Sequence, residues 1–334
     1  MKKWFRVYLG VSLGLIMAMT IAFLNLTGKK AASEHVKNES DPSINSKPVW
    51  CCPSESTMPK DGCDQIRYGR ELIKNTSLYI GPKGSVSQTG NGMNCQNCHQ
   101  QAGTKPWGNN YFAVHSTYPK FRERSGSVES AEKRVNDCLE RSLQGKALPE
   151  NSKEMKAITA YIKWLGTGVK KGEYPEGAGI ADLDFLNCAA SPEQGKLVYE
   201  QKCVSCHTQS GEGLMNADGK GFLYPPLWGK NSYTIAAGFY TISKLAGYIK
   251  HNMPQGASYK NTMLTDEEAW HVAAYINSMG HPVKSTEKDW PDISTKPFDY
   301  PFGPYADGFS ESQHKFGPYE PIKKARETQK KKAG

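Results

Sequence analysis

Two copies of one pentapeptide constrain this chain more than any other feature: Cys95-Gln96-Asn97-Cys98-His99 and Cys203-Val204-Ser205-Cys206-His207. C-x-x-C-H is the covalent attachment site of c-type haem. The two thiols add to the haem vinyl groups, and the adjacent histidine supplies one axial nitrogen to iron. A single copy is also compatible with a redox-active thiol pair or half a zinc site. Two copies in one chain bearing an export signal point to two covalently bound haems c, held by Cys95, Cys98, Cys203 and Cys206, with His99 and His207 as axial metal ligands.

The export signal is Lys2, Lys3 and Arg6 followed by an uncharged, mostly apolar stretch from Val7 to Leu26. It reads as a signal peptide with a long apolar region or as an uncleaved anchor in the inner membrane, since 20 residues of helix reach about 30 Å. Both readings put the body in the periplasm, soluble or anchored. Covalent haem and spare cysteines suit that compartment. Of the formal net charge of +9, residues 1–40 carry +4 and residues 323–332 carry +5, leaving a neutral body. A neutral body argues against a nucleic-acid partner, which calls for basic residues spread over a face.

The chain is an internal duplication. Asp64–Lys74 and Pro192–Lys202 are helix patterns ahead of the two motifs, each with a glycine before a basic residue, Gly69-Arg70 and Gly195-Lys196. Ser152–Leu165 and Thr265–Met279 are helix patterns behind them, each around an Ala-Tyr pair, and Thr265 with Glu268 forms a capping box. This is the cytochrome c plan, with the glycines letting the first and last helices cross closely. The fold class is therefore all-α, two tandem cytochrome c domains with long loops and an irregular, wrapping C-terminal tail whose Lys-rich end is loose. The expected boundaries are 1–30 (signal or anchor), 31–60 (polar tether), 61–170 (domain 1), 171–190 (linker), 191–285 (domain 2) and 286–334 (C-terminal extension). Cys51, Cys52 and Cys63 suggest a local disulfide, Cys52 to Cys63, and Cys188 is expected to be buried or paired.

The second axial ligand decides what a c-type iron can do. The repeat serves as a ruler. Met253 lies 22 residues before Tyr275, and the residue 23 before Tyr161 is Cys138. Cys138 thus falls where a methionine ligand belongs, and Met253-Pro254 with Gly256 resembles the methionine loop of small cytochromes. Met155, His115 and Met93 compete with Cys138, and His251, Lys250 and Met263 compete with Met253. The bland alternative for Cys138 is a buried thiol or a disulfide partner. A thiolate on iron favours the oxidised metal, and the same sulfur is a nucleophile.

Arg134-Val135-Asn136-Asp137-Cys138-Leu139-Glu140-Arg141-Ser142, followed by Gly145-Lys146-Ala147-Leu148-Pro149, resembles the active-site segment of dihaem thiosulfate dehydrogenases. The stretch from Trp107-Gly108-Asn109 through Tyr118-Pro119 to Arg124-Ser125-Gly126 fits as well. The resemblance covers roughly residues 61–285 and is distantly shared with the haem subunit of the periplasmic sulfur-oxidising complex. It implies oxidation of two thiosulfates to tetrathionate, in some members reversibly, with electrons passed to an external cytochrome c or similar acceptor. It implies His99 and Cys138 on the catalytic haem, His207 and Met253 on the transfer haem, and Arg124, Arg134 and Ser142 around the substrate. Some members carry lysine directly before the haem-2 methionine and exchange the two ligands on reduction. Here that residue is Asn252.

The chemistry agrees. Thiosulfate is a dianion, and an arginine fork matches sulfonate oxygens as it does carboxylate or phosphate. Arg134 is one helical turn before Cys138 and Ser142 one turn after it, so all three share a face if the segment is helical. Arg122 and Arg141 add positive field. Interleaved Glu123, Glu129, Glu132, Asp137 and Glu140 leave open that any one arginine is a solvated surface charge. The competing functions are a plain dihaem electron carrier, a dihaem peroxidase and a haem subunit that works only within a sulfur-oxidising complex.

Overall fold

The computed structural model describes residues 48–333. The Val7–Leu26 segment lies outside them. No helix among the described residues is long and apolar enough to cross a membrane.

Two helix crossings organise the chain. In the first domain α1 (Cys63–Lys74) packs on the helix that ends the domain. Between them lie a β-hairpin, β1 (Lys120–Arg122) with β2 (Ser127–Glu129), and α2 (Ala131–Arg141); α3 (Lys153–Leu165) then closes the unit. In the second domain α4 (Pro192–Lys202) packs on the closing helix. A smaller hairpin, β3 (Leu214–Met215) with β4 (Phe222–Tyr224), and α5 (Ile242–Asn252) precede α6 (Asp266–Ser278), which closes it. Serine hydroxyls at positions 130, 152 and 191 cap α2, α3 and α4, and Thr265 and Glu268 cap α6 reciprocally. Each cap satisfies amides that the first helical turn leaves without partners.

The duplicated glycines do what the pattern requires. A Cβ on Gly69 would stand 2.0 Å from the Ala157 carbonyl oxygen on α3. On Gly195 it would stand 1.9 Å from the His271 carbonyl on α6. A methyl at either place must push two helix backbones apart, against a core that does not yield cheaply. Tyr161, fully buried, and the aromatic cluster of Tyr199, Trp228 and Tyr275 fill the space beside the crossings.

The domains share a core. Phe222, Tyr233, Ala237 and Tyr240 of the second half pack with Ile66, Leu72, Met155 and Tyr161 of the first. The chain between α3 and α4 is fastened to both. Gly177 and Gly179 carbonyls accept from the Trp107 and Asn109 amides at 2.8 Å, and the Asp184 carbonyl accepts from the Trp270 indole at 3.0 Å.

The cysteine expectations need correction. Cys51, Cys52, Cys63 and Cys188 are all unpaired. Cys63 opens α1 with its sulfur near Asp64 and Arg67, whereas Cys52 packs partly buried against the first core. Cys188 is exposed on the irregular chain before α4. The C-terminal extension does wrap the body irregularly over 281–310, apart from one turn at Ile293–Thr295. Its Lys-rich end, however, is not loose. It forms α7 (Glu311–Phe316) and α8 (Glu320–Ala333). Tyr319 and Ile322 are buried in the second core, and Arg326 pairs with Asp307 at 2.8 Å, with His314 on the same carboxylate. Two apolar anchors and one ion pair on a single face hold a helix whose other positions are too polar to show a period.

Candidate active site

Each motif folds into a single turn that aims its histidine inward. In the first, Asn94 and Asn97 cap one another and the Cys95 amide donates to the Thr76 hydroxyl at 3.0 Å. His99 lies stacked on Tyr111 with ring centres 4.5 Å apart, and its Nδ1 donates to the Asn109 carbonyl. In the second, His207 Nδ1 donates to the Pro225 carbonyl at 2.8 Å. A carbonyl only accepts, so each Nδ1 carries the proton and each Nε2 presents a lone pair. Burial pushes the His99 imidazole down to about 4 and lowers His207 as well. Both rings are therefore neutral and oriented, as iron ligation needs.

A cavity of about 830 Å³ runs between the domains. Asn97, Cys98 and Gln100 of the first domain line it, as do Cys203, Cys206, His207 and Met253 of the second. Its size lies within the roughly 300–1,000 Å³ of cofactor sites. Met253 ends α5 and is half-buried. Its three competitors are elsewhere. Lys250 pairs with Asp266 at 2.6 Å, His251 bonds back to the Gly247 carbonyl, and Met263 is largely exposed. Around the first motif, Cys95, Cys98, His99 and Arg134 are partly buried, and Cys98 lines the same cavity. Met155 is wholly buried core, Met93 is buried beside the motif, and exposed His115 lines a separate cavity of about 300 Å³ with Lys163. Two thiols, a neutral histidine and a sulfur donor on each side form a donor set that fits one haem c apiece.

α2 brings the remaining candidates together. Its last turn carries Cys138, one turn after Arg134, and Ser142 is the capping residue behind it. Cys138 is the largest influence on Arg134, raising its affinity for the proton; burial chiefly raises the Cys95, Cys98 and Tyr111 side chains, and Cys138 beside them adds to it. These groups therefore face one space. Asn136 anchors the helix by a reciprocal pair of bonds to the Leu148 backbone at 2.8 and 2.9 Å.

The arginines separate into two kinds. The Arg134 guanidinium has no hydrogen-bond or ion-pair partner among the described residues, although it is half-buried. Arg141 is taken up by Asp289, with two bonds of 2.6 and 2.7 Å. Arg124 is partly committed: Nη1 donates to the Ala236 carbonyl at 3.1 Å, Nε faces Asp289 at 4.0 Å, and its plane lies over Trp290 at 4.7 Å. Burial, with Arg141 beside it, lowers Arg124 to about 10. Arg122 sits 3.9 Å from Glu129 on the hairpin. The residues that sequence reading missed are Asp289 and Trp290, together with the carbonyls of Asn109 and Pro225. An acidic residue beside a tryptophan in a polar tail was the available signal for the first two.

Residues 85–170 match the SoxA/TsdA cytochrome c domain, and residues 192–280 match the cytochrome c domain. Thiosulfate dehydrogenase of Psychrobacter arcticus is 34% identical over 252 residues, 74% of this chain and 73% of that protein. The enzyme of the same description from Allochromatium vinosum is 35% identical over 236 residues, 69% of this chain and 83% of that protein. The as-isolated form of thiosulfate dehydrogenase (TsdBA) from Marichromatium purpuratum superposes with a TM-score of 0.65 at 27% identity. That match covers 76% of this chain, which spans 55% of the length of the solved one. Fold, donor sets and matches define a c-type cytochrome with two covalently bound haems c. The chain belongs to the thiosulfate dehydrogenase family.

Proposed function

We propose that this chain oxidises two thiosulfates to one tetrathionate at Cys138, outside the cytoplasm. His99 and Cys138 would hold the iron of the first haem, and His207 and Met253 that of the second. When bound, the two haems supply one-electron sinks that take two electrons and deliver them to an external cytochrome.

The observation that carries this reading is Arg134, a half-buried cation one turn from a cysteine, whose guanidinium makes no hydrogen bond or ion pair among the described residues. Guanidinium donors buried without acceptors are costly, and the oxygens of a dianionic ligand fill them. Arg134 binds the sulfonate end of thiosulfate and aims its outer sulfur at Cys138. The Cys138 thiolate and that sulfur join as Cys–S–S–SO₃⁻, with release of two electrons. A second thiosulfate attacks the outer sulfur of the adduct, forming the central S–S bond of tetrathionate and returning the thiolate. This second step is sulfur-for-sulfur displacement of the thiol–disulfide kind and is reversible, so tetrathionate reduction uses the same groups. Arg124 adds field from its fixed position, and the Ser142 hydroxyl stands one turn beyond Cys138 to donate to substrate.

The purified chain with both haems attached is expected to reduce ferric cytochrome c with thiosulfate alone, two cytochromes for each tetrathionate formed. No reduction by the isolated chain would leave only a carrier or a subunit that depends on a partner.

A further inference from the structure

Asp289, Trp290 and Pro291 belong to the irregular C-terminal extension, outside the duplicated cytochrome plan, yet they meet the site. Pro291 presses on the tip of the β1–β2 hairpin: a Cβ on Gly126, at φ +64°, would stand 2.6 Å from its ring. The Trp290 amide donates to the Arg124 carbonyl at 2.7 Å. Trp290 itself is buried and holds φ at +54°, a conformation that costs a bulky side chain energy and persists only where surroundings impose it. Its indole lies against Tyr300, ring centres 4.2 Å apart, and faces the Arg124 guanidinium at 4.7 Å. Asp289, nearly buried, is the counter-charge shared by Arg141 and Arg124.

We propose that this strap is a positioning device for the anion site, in which Trp290 orients Arg124 toward the substrate while Asp289 holds Arg141 back. The inference rests on the thiosulfate reading above. Two buried cations side by side repel, and the lower proton affinity of Arg124 reflects its burial first and that neighbour second. Asp289 allows both to stay, and the bidentate pair consumes Arg141. Arg124 keeps Nη2 without a protein partner, because Trp290 takes its face, Ala236 takes Nη1 and Asp289 lies toward Nε. The site thus presents one guanidinium edge and one whole guanidinium, Arg124 and Arg134, to the two dianions.

The test is steady-state kinetics of the haem-loaded protein as Trp290→Leu, Trp290→Phe and Arg134→Ala. Trp290→Leu keeps every charge but removes the aromatic face. The thiosulfate KM is expected to rise about five- to tenfold while kcat falls less than about twofold, as lost cation–π orientation predicts. Trp290→Phe should restore most of the KM. An unchanged KM in Trp290→Leu overturns the proposal. So does a rise that Phe does not rescue, or one accompanied by loss of haem or a lowered melting temperature, since that marks a structural role only. If Arg134→Ala also leaves the thiosulfate KM and kcat unchanged, the substrate reading itself has failed. If Arg134→Ala is impaired and Trp290→Leu is not, only the strap falls.

Discussion

Cys138→Met is expected to fold, to carry both haems and to lose at least about a thousandfold in thiosulfate turnover. The thioether is close in shape and keeps a sulfur donor at this position, as proposed for Met253 in the second domain. It cannot become a thiolate and cannot form or release a sulfur adduct. The substitution therefore separates a tuning role from a covalent one. Were Cys138 only a ligand, its replacement would shift the potential and leave a working enzyme. Wild-type-like turnover in this variant would reject the covalent step and leave Cys138 a tuning ligand only. Thiosulfate-dependent cytochrome reduction, read beside haem content, decides between them.

The second large effect is at Arg134. Arg134→Ala removes the one guanidinium that, among the described residues, no protein group claims, and leaves a bound dianion without its main counter-charge. The expected loss is about 2–5 kcal/mol, or roughly 30- to several-thousand-fold in kcat/KM. Arg134→Lys should recover only part, because a point charge replaces a planar fork. Stability should change little, since the side chain holds nothing else in place. Loss of activity in parallel with a large drop in melting temperature would make Arg134 a structural residue instead.

What could be read in the sequence is what lies close together along it or is repeated. The two attachment motifs, the paired glycines at the helix crossings and the one-turn spacing of Arg134, Cys138 and Ser142 are local patterns, and the structure places all of them on the elements expected. The environment of the arginines is not local. Arg141 is neutralised by a carboxylate 148 residues away, and Arg124 is oriented by a tryptophan in a tail without a period of its own. The histidine tautomers depend on backbone carbonyls, which carry no residue signature. The C-terminal helices escaped because Tyr319, Ile322 and Arg326 are too few to stand out among lysines, although burial makes them sufficient.

In the proposed chemistry one sulfur is both an iron ligand and the nucleophile that Arg134 serves. Electron paramagnetic resonance of the oxidised protein, wild type and Cys138→Ala, tests it most directly. A low-spin histidine–thiolate signal is expected in the wild type and should be absent from Cys138→Ala, while the signal of the other haem persists. An identical spectrum in the two proteins would remove Cys138 from the iron and contradict the account.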